Sequence, residues 1–494
     1  MNKNLSSNNN SIIGGLLWKL LERFGTQGLQ FIIQIILARL LLPSDYGILA
    51  LVVIFITIAN VFIQSGLSTS LIQKKVVDQV DYSSVLYISL GIAGILYCLL
   101  YFTAPLIGVF YDNDSLVLVL RVLALTLFPG AFNSIQNAIV SRTMQFKRLF
   151  YSSVGAGIVS GIVGIYLAYH DFGIWAFVFQ QLTNQLCITL ILWFTVKWRP
   201  TLQFSLERVK ILYSFGWKLL VSSLIDTTYR DLRSLIIGKV YTPTMLGYYN
   251  RGQQFPQLII SNINGSIQSV MLPVLAAQQD YTDRVKTMVR RSIVTSSFIV
   301  FPMMVGLAVV AEPLVLLLLT EKWLPSVPFI QIFCFSYALW PIHTANLQAI
   351  NAMGRSDIFL KLEIIKKILG LSILAVALPF GVYVLALSGV MSGLISSFIN
   401  AYPNKKLLNY GYGEQIKDIL PSLFLSLVMG VIVYLLLFLG LSPLIIMLLQ
   451  IVVGIIVYVG LALLFKLECF TYLVQTILGL FKDKKATRSP SEDK

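Results

Sequence analysis

The hydrophobic positions of this chain fall into long, nearly unbroken runs that recur along its whole length. Leu314–Leu319 and Ile445–Ile456 are two examples. Most runs are about 20 residues long, which is enough for a helix to cross the roughly 30 Å hydrocarbon core of a bilayer. Strands of a membrane β-barrel are about ten residues long and alternate in polarity. The pattern therefore predicts a helical membrane protein.

About fourteen transmembrane helices are predicted in this all-α chain. They lie near 12–38, 46–72, 82–110, 116–140, 150–170, 174–197, 211–238, 248–274, 289–318, 325–352, 356–379, 381–402, 415–438 and 442–466. The composition supports this prediction, because 57% of the residues are hydrophobic and only 12% are charged. A soluble domain has roughly 25% charged residues, so lipid must cover much of this surface.

Basic residues are concentrated in every second predicted loop and in the C-terminal tail, and the net charge is +15. Those in loops 2, 4, 6, 8, 10 and 12 and in the tail are Lys74, Lys75, Arg142, Lys147, Arg148, Lys197, Arg199, Arg208, Lys210, Arg284, Lys286, Arg290, Arg291, Arg355, Lys405, Lys406, Lys417, Lys482, Lys484, Lys485 and Arg488. Cytoplasmic loops carry an excess of Lys and Arg. Both termini are therefore predicted to be cytoplasmic, and no nucleic-acid partner is expected.

Two sequence patterns occur twice, about 200 residues apart. The sequence WKLL begins at Trp18 and again at Trp217, and a proline follows 25 and 26 residues later, at Pro43 and Pro243. A second pair of patterns begins with Phe128-Pro129 and with Trp340-Pro341. Spans 1–6 and 7–12 are therefore predicted to be parallel repeats, an arrangement of transporters whose substrate site lies at the repeat interface.

The repeats predict how the chain is divided. We expect an N-terminal six-helix lobe over residues 1–205 and a pseudo-symmetric C-terminal six-helix lobe over residues 206–410. An accessory helix pair is expected over residues 411–470, followed by a basic cytoplasmic tail over residues 471–494.

Polar side chains within the predicted spans mark the candidate site, because an ionised group at the centre of a span costs roughly 2.5–3.5 kcal/mol on insertion scales. They are concentrated in the first helix of each repeat and in span 8. The candidates are Glu22, Arg23, Gln27, Gln30, Asp226, Arg230, Asp231, Arg251 and Asn262. In span 1 they recur every three or four residues, on one face of the helix. A water-filled, cationic cavity between the halves is predicted.

Arginine is the residue that most suggests an anionic ligand in this cavity. Arg23 and Arg251 either contact such a ligand or have a structural role, because a guanidinium binds phosphate oxygens through two parallel hydrogen bonds. Arg230 is either part of the same site or a structural partner of Asp226. No His, Cys and Asp cluster has the spacing of metal ligands, and no phosphate-binding glycine loop occurs. Neither a cofactor nor a metal is expected, and the chain is not predicted to be an enzyme.

Three passages resemble the Wzx-type polysaccharide exporters, which belong to the multidrug/oligosaccharidyl-lipid/polysaccharide (MOP) flippase superfamily. They are RLLLPSDYG from Arg39, SGLSTSLI from Ser65 and RTMQF from Arg142. The similarity is greatest to the colanic-acid-exporter-like branch. The resemblance implies fourteen helices in two lobes. It also implies alternating access that moves an undecaprenyl-pyrophosphate-linked oligosaccharide from the inner to the outer leaflet of the bacterial inner membrane.

The resemblance also implies roles for individual residues and for partners. Pyrophosphate-binding arginines of the family correspond to Arg23 and Arg251 here, and Glu22, Asp226 and Asp231 are the candidates for coupling to an ion gradient. The amides of Gln27, Gln30 and Asn262 suit sugar hydroxyls. Membrane lipids and the polysaccharide polymerase machinery are the expected partners of a monomeric protein.

Two other classes of protein remain open. A cation-coupled multidrug exporter of the same superfamily typically has twelve spans and an acidic cavity, whereas about fourteen spans and an arginine-rich cavity are predicted here. A polysaccharide polymerase or a lipid-linked glycosyltransferase is expected to have a long external loop or an acidic catalytic cluster. The sequence has neither feature.

Overall fold

The structure is a computed structural model that describes the backbone of residues 2–64, 66–475 and 479. Side chains are described for residues 17–64, 66–214, 216–475 and 479. The α-helices are α1 (Asn2–Leu40), α2 (Pro43–Gln64), α3 (Leu67–Gln73), α4 (Gln79–Tyr111), α5 (Ser115–Leu123), α6 (Leu127–Arg142), α7 (Phe146–Tyr169), α8 (Ile174–Thr195), α9 (Leu206–Val240), α10 (Pro243–Ala276), α11 (Thr282–Leu318), α12 (Val327–Ala338), α13 (Trp340–Ala352), α14 (Ser356–Ala377), α15 (Val382–Leu408), α16 (Tyr412–Leu435) and α17 (Pro443–Leu464). No strand occurs in these described ranges, and the all-α prediction is confirmed. Residues 480–494, most of the predicted tail, lie outside the described residues.

Most of these helices could cross a bilayer. Within the described part of the chain, eleven helical segments are long and apolar enough to do so. The helices α1, α9 and α14 are 39, 35 and 22 residues long but hold several ionisable side chains each. They coincide with the predicted spans 1, 7 and 11. The protein is a multi-pass membrane protein, and the total of fourteen spans stays a prediction.

Three of the predicted spans each contain more than one α-helix, and span 2 is the first of them, with α2 and α3. Span 4 consists of α5, a 3-10 turn over Ala124–Thr126, and α6; span 10 contains α12 and α13. Pro129 and Pro341, the prolines of the second repeated pattern, lie in the first turn of α6 and of α13. Proline has no N–H to donate, and the first turn of a helix has no acceptor for one. The same pattern therefore begins a new helix at both places.

Contacts divide the chain into two compact units, Met1–Gly247 and Tyr248–Lys494, with the boundary inside α10. In the first unit, α7 packs against α1 and α8, and α9 packs against α2, α3 and α4. The predicted lobe boundary after residue 205 follows the sequence repeats, whereas the units follow packing. The repeats assign α9 to the C-terminal lobe, whereas packing assigns it to the first unit. The predicted lobes stay a prediction.

Hydrogen bonds hold α9 to the first unit at both of its ends. In the first part of the helix, the Ser70 hydroxyl donates to the carbonyl of Leu212 over 3.0 Å. Near the other end, the Tyr111 hydroxyl donates to the carbonyl of Leu235 over 3.4 Å. These contacts extend over nearly the full length of α9, which is therefore an integral part of the first unit.

The connections α1–α2 and α9–α10 have the same construction. Each consists of two residues, and the following helix begins with a proline, Pro43 or Pro243. A Cβ added to Gly47 would lie 1.7 Å from the Pro243 carbonyl oxygen, and one added to Gly247 would lie 2.1 Å from the Pro43 carbonyl oxygen. Such reciprocal contacts are the mark of a local two-fold relation. The repeat inferred from sequence thus has a geometric counterpart here.

In the second unit, the predicted accessory helices pack on α11. The Tyr458 hydroxyl of α17 donates to the Phe298 carbonyl of α11 over 2.8 Å. Three buried amides join α16 to α13 and α15, since Asn346 Oδ1 accepts from Gln415 Nε2 at 3.0 Å and from Asn404 Nδ2 at 2.7 Å. Hydrogen bonds between membrane helices contribute about 0.6 kcal/mol on average. The two accessory helices are therefore a fixed part of this unit.

Candidate functional site

The PSDYG motif forms the beginning of α2, directly after the two-residue connection from α1. Asp45 Oδ2 accepts a hydrogen bond from the backbone N–H of Leu42 at 3.1 Å. The Tyr46 hydroxyl donates to the Gln34 carbonyl at 3.2 Å, and its ring packs edge-on against Phe177 at 4.5 Å between centroids. A carboxylate near a helix start satisfies N–H groups that lack an intrahelical acceptor. The motif is explained by folding, without a ligand.

In the SGLSTSLI motif, Gly66 lies between α2 and α3, and the residues from Leu67 onward form most of α3. Gly66 has φ +93°, in the left-handed region where a side chain is strained. A Cβ added there would also lie 2.6 Å from the carbonyl oxygen of Gly216 in α9. The Ser68 hydroxyl donates to the Ser134 carbonyl at 3.0 Å. Gly66 thus allows the backbone of this motif to lie directly against the backbone of α9 at Gly216.

The RTMQF motif contains an arginine that holds the end of α3. The Arg142 guanidinium donates to the carbonyl oxygens of Leu71 at 2.7 Å, Ile72 at 3.0 Å and Lys75 at 3.2 Å, and also to that of Lys74. The last carbonyls of a helix have no intrahelical donor, and a cation is favourable there. From the sequence, Arg142 was interpreted as a basic loop residue and as part of the resemblance, without a capping role; its position just after an apolar helix was the available signal for this role.

A charged cluster fixes the beginning of α9. Lys74 Nζ lies 2.7 Å from Asp81 Oδ2, Arg208 Nη1 lies 3.5 Å from Asp81 Oδ1, and Arg208 also forms an ion pair with Asp78. The hydrogen bond from Arg208 is the main reason why the pKa of Asp78 is below its usual value. The ion pairs of Lys74 and Arg208 with Asp78 and Asp81 therefore join the beginning of α9 to the beginning of α4.

The lowered pKa of Asp78 predicts a pH-dependent contribution to stability. A carboxyl whose pKa is lower in the folded state stabilises the fold above its ordinary pKa of 3.8, and that stabilisation is lost as the pH falls through the lowered value. We expect Asp78→Asn to reduce the melting temperature slightly between about pH 5 and about pH 7, and by less below about pH 4. Thermal unfolding in detergent over this pH range measures the difference.

The matched control for this experiment is Asp114→Asn, since Asp114 is an exposed carboxyl at a helix start whose side chain makes no capping hydrogen bond. It should unfold like the wild type at every pH. A stability loss in Asp78→Asn that stays constant down to about pH 3 would show that the ion pair is not its cause.

The candidate residues on α1 differ in how open they are to a ligand. Arg23 is exposed, and it has no hydrogen-bond or ion-pair partner in the described part of the chain. Glu22 is largely covered and lies 2.7 Å from Lys19 Nζ. Gln30 is exposed and Gln27 half-buried. Arg23 is therefore the α1 candidate best placed to bind an anion.

On α9, the arginine and the carboxylates are close together. The Arg230 side chain is 58% exposed, and its Nε lies 3.6 Å from Asp231 Oδ1. Asp226 is exposed one turn earlier. This loose, solvent-accessible ion pair leaves most of the guanidinium free to interact with a further anion.

On α10, the environment of Arg251 differs from that of Arg23. Arg251 is only 4% exposed, its guanidinium carbon lies 5.3 Å from the ring centroid of Trp323, and it donates to Gln254 Oε1. Asn262 is half-buried and donates to the Leu258 carbonyl at 3.0 Å. The described structure thus places Arg251 within the packing of the second unit, and places the α1 and α9 candidates in the first.

The architecture is that of a known class of transporters. The lipid II flippase MurJ in its inward-closed conformation matches with a TM-score of 0.73 at 16% identity, over 91% of this chain and 98% of that one. An inward-facing multidrug resistance MATE family transporter of the MOP superfamily matches with a TM-score of 0.56 at 16% identity, over 80% and 98% of the two chains. The protein has the fold of the MOP transporters.

The family within this class follows from the sequence. The profile of the polysaccharide biosynthesis protein family matches residues 36–328, more than half of the chain. The protein belongs to that family. It is 24% identical over 441 residues to the lipopolysaccharide biosynthesis protein WzxC of Escherichia coli K12, covering 85% of this chain and 88% of the relative. The resemblance to Wzx-type exporters is confirmed, and the protein is a flippase-type transporter of polysaccharide biosynthesis.

Proposed function

We propose that the protein carries an undecaprenyl-pyrophosphate-linked oligosaccharide from the inner to the outer leaflet of the bacterial inner membrane by alternating access. The family and the fold support transport in polysaccharide biosynthesis. The observation that carries the choice of substrate is Arg23, an exposed guanidinium without a protein partner among the described residues. Such a group in a membrane helix is costly, and a pyrophosphate is an anion that would offset its cost.

Different candidate residues are proposed to bind the pyrophosphate and the sugar of this substrate. Arg23 and Arg230 are exposed and supply positive charge for the pyrophosphate, because guanidinium groups bind phosphate oxygens through paired hydrogen bonds. Arg251 contributes its charge from a covered position. Amides that can donate and accept suit the sugar hydroxyls; these are Gln27, Gln30 and Asn262. The polyprenyl chain is apolar and stays in lipid.

Carboxylates are proposed to couple transport to an ion gradient. Glu22, Asp226 and Asp231 are the candidates, and each lies on the same helix as an arginine of the proposed site. Binding of a cation by one of them would change the local charge that the pyrophosphate meets. No covalent step is involved. The protein acts as a monomer with both termini in the cytoplasm and delivers its product to the polymerase machinery.

Deleting the gene tests this proposal directly. We expect the deletion strain to lose its surface polysaccharide and to accumulate the undecaprenyl-pyrophosphate-linked oligosaccharide on the cytoplasmic face. Lipid extraction with mass spectrometry identifies the intermediate, and an impermeant lectin or glycosidase applied to spheroplasts reports the leaflet. A plasmid copy of the gene is the control and should restore the polysaccharide.

The same strain separates the proposal from a multidrug exporter. A normal level of surface polysaccharide combined with greater sensitivity to cationic drugs would contradict the flippase and favour the exporter. Accumulation of the intermediate on the outer face would instead indicate a step after transport, and would also contradict the proposal.

A further inference from the structure

A cluster of basic and aromatic side chains lies where α1 meets the first turns of α7. We call it the α1–α7 cluster; its members are Trp18, Lys19, Phe146, Lys147, Arg148 and Tyr151. The rings of Trp18 and Tyr151 are 6.1 Å apart between centroids. Lys147 Nζ lies 5.4 Å from the Trp18 centroid and 5.9 Å from the Tyr151 centroid. Two rings thus hold one ammonium group near the surface of the protein.

The charge of this cluster is only partly neutralised by the protein. Lys19 lies over the Phe146 ring at 5.7 Å and is paired with Glu22. Lys147 and Arg148 have neither a hydrogen-bond acceptor nor an acidic partner among the described side chains. Lys147 is exposed, and Tyr151 is 53% exposed. Cation–π contacts use the ring faces but leave the N–H donors of the ammonium group available.

The position of the cluster along the chain indicates that it lies at the cytoplasmic surface of the membrane. It lies at the beginning of α7, directly after the fourth loop, which the distribution of basic residues assigns to the cytoplasm. Trp and Tyr rings prefer the headgroup level of a bilayer, and Lys and Arg close to the inner surface are attracted to its anionic lipids. An anionic lipid headgroup therefore fits both parts of the cluster, its phosphate at the cations and its glycerol against the rings.

We propose that the α1–α7 cluster binds the headgroup of an anionic phospholipid from the cytoplasmic leaflet. Lys147 and Arg148 contact the phosphate, while Trp18 and Tyr151 pack against the glycerol backbone. None of the cluster residues is proposed to contact the transported substrate, although Lys19 pairs with the proposed ion-coupling residue Glu22. The lipid site does not depend on the proposed function. Its occupant is a bulk lipid, so the site would be filled through every transport cycle and would fix the depth of α7 in the membrane.

Native mass spectrometry of the full-length protein tests this site. The protein in mixed micelles is offered phosphatidylglycerol or phosphatidylcholine at equal concentration. We expect the wild type to retain phosphatidylglycerol preferentially, and Lys147→Gln to bind it about fivefold more weakly, which is the effect of removing one cation near the headgroup. Lys147→Arg keeps the charge and should bind like the wild type.

Lys210→Gln is the matched control, because Lys210 is an exposed lysine in another predicted cytoplasmic loop with no aromatic ring contact among the described residues. It should retain phosphatidylglycerol fully. Equal losses in Lys147→Gln and Lys210→Gln, or no loss in either, would overturn the proposal. Tyr151→Leu, which keeps all charges, should also weaken binding; if it does not, the ring contacts serve only the fold and the proposed site is wrong.

A third arm of the experiment uses undecaprenyl pyrophosphate, the other anionic lipid to consider. If Lys147→Gln weakens binding of undecaprenyl pyrophosphate and leaves phosphatidylglycerol unaffected, the cluster belongs to substrate recognition and the proposal is overturned. Phosphatidylglycerol binding that depends on Lys147 supports the proposal whether or not the protein transports a lipid-linked oligosaccharide.

Discussion

Gly47→Ala is expected to destabilise the protein strongly. The added Cβ would lie 1.7 Å from the Pro243 carbonyl oxygen, a backbone atom that cannot turn aside like a side chain. The beginnings of α2 and α10 would have to move apart. Overpacking a tight contact costs about 1–3 kcal/mol, and we expect the upper end of that range. The melting temperature of the purified protein and its level in the membrane measure the effect.

Gly247→Ala should have the same effect, because the contact is reciprocal. A Cβ on Gly247 would lie 2.1 Å from the Pro43 carbonyl oxygen. Since either substitution opens the same contact, the double variant should lose less stability than the two single losses added together. Gly91→Ala is the control, because an added Cβ there would meet no atom of another helix within 4 Å, and alanine is the better helix former. If Gly47→Ala is as stable as Gly91→Ala, the close contact does not exist.

Arg23→Ala is expected to reduce export of the lipid-linked oligosaccharide about 10- to 100-fold. Hydrogen bonds to charged groups contribute about 1.5–3 kcal/mol, and each 1.4 kcal/mol is a factor of ten. Because Arg23 is exposed and lacks a protein partner in the described structure, the variant should fold normally. Surface polysaccharide in the deletion strain, normalised to the amount of protein in the membrane, measures export.

Three further variants test whether the loss of export in Arg23→Ala is specific to that guanidinium. Arg23→Lys keeps the charge without the planar pair of donors and should be intermediate. Arg291→Ala removes an exposed arginine from the first turns of α11 and should leave export unchanged. Arg251→Ala should lower the amount of folded protein as well, since it empties a buried position beside Trp323. Full export by Arg23→Ala would contradict its role in binding pyrophosphate.

The positions of the helices were largely predictable from the sequence. Long apolar runs have one stable form in a bilayer, because every backbone N–H and C=O must be bonded within the segment. The predicted spans 2 and 8 begin near residues 46 and 248, a few residues after the actual helix starts at Pro43 and Pro243, although proline favours the first position of a helix. In the structure each proline follows a two-residue connection, between α1 and α2 or between α9 and α10.

The packing partner of α9 was not predictable in the same way. The repeats place α9 at the start of the second half, but Gly66 and Gly216 bring it against the first unit. Contacts between residues this distant in sequence leave no periodic signal in either helix. The same holds for Arg251, whose burial depends on Trp323, a residue that belongs to a different helical segment.

The environments of the candidate arginines separate what a sequence can and cannot indicate about a site. Arg23 and Arg251 are similar in sequence terms, as arginines among polar residues within predicted spans. In the described structure one is exposed and the other is covered by an aromatic ring. Residue type and spacing find the helices on which a site lies; three-dimensional packing decides which guanidinium a ligand can reach.

The attachment of α9 to the first unit has a consequence for how the chain is assembled during synthesis. Ser70 and Leu212 are 142 residues apart, so at about 5–20 residues per second the ribosome needs roughly 7–30 s to deliver the partner of Ser70. During that interval, α2 and α3 are already in the membrane with one face uncovered. The six predicted spans of the first repeat, which contain α1 to α8, therefore do not form a complete folding unit when they leave the ribosome. The first unit is complete only when α9, the first helix of the second repeat, has packed against it.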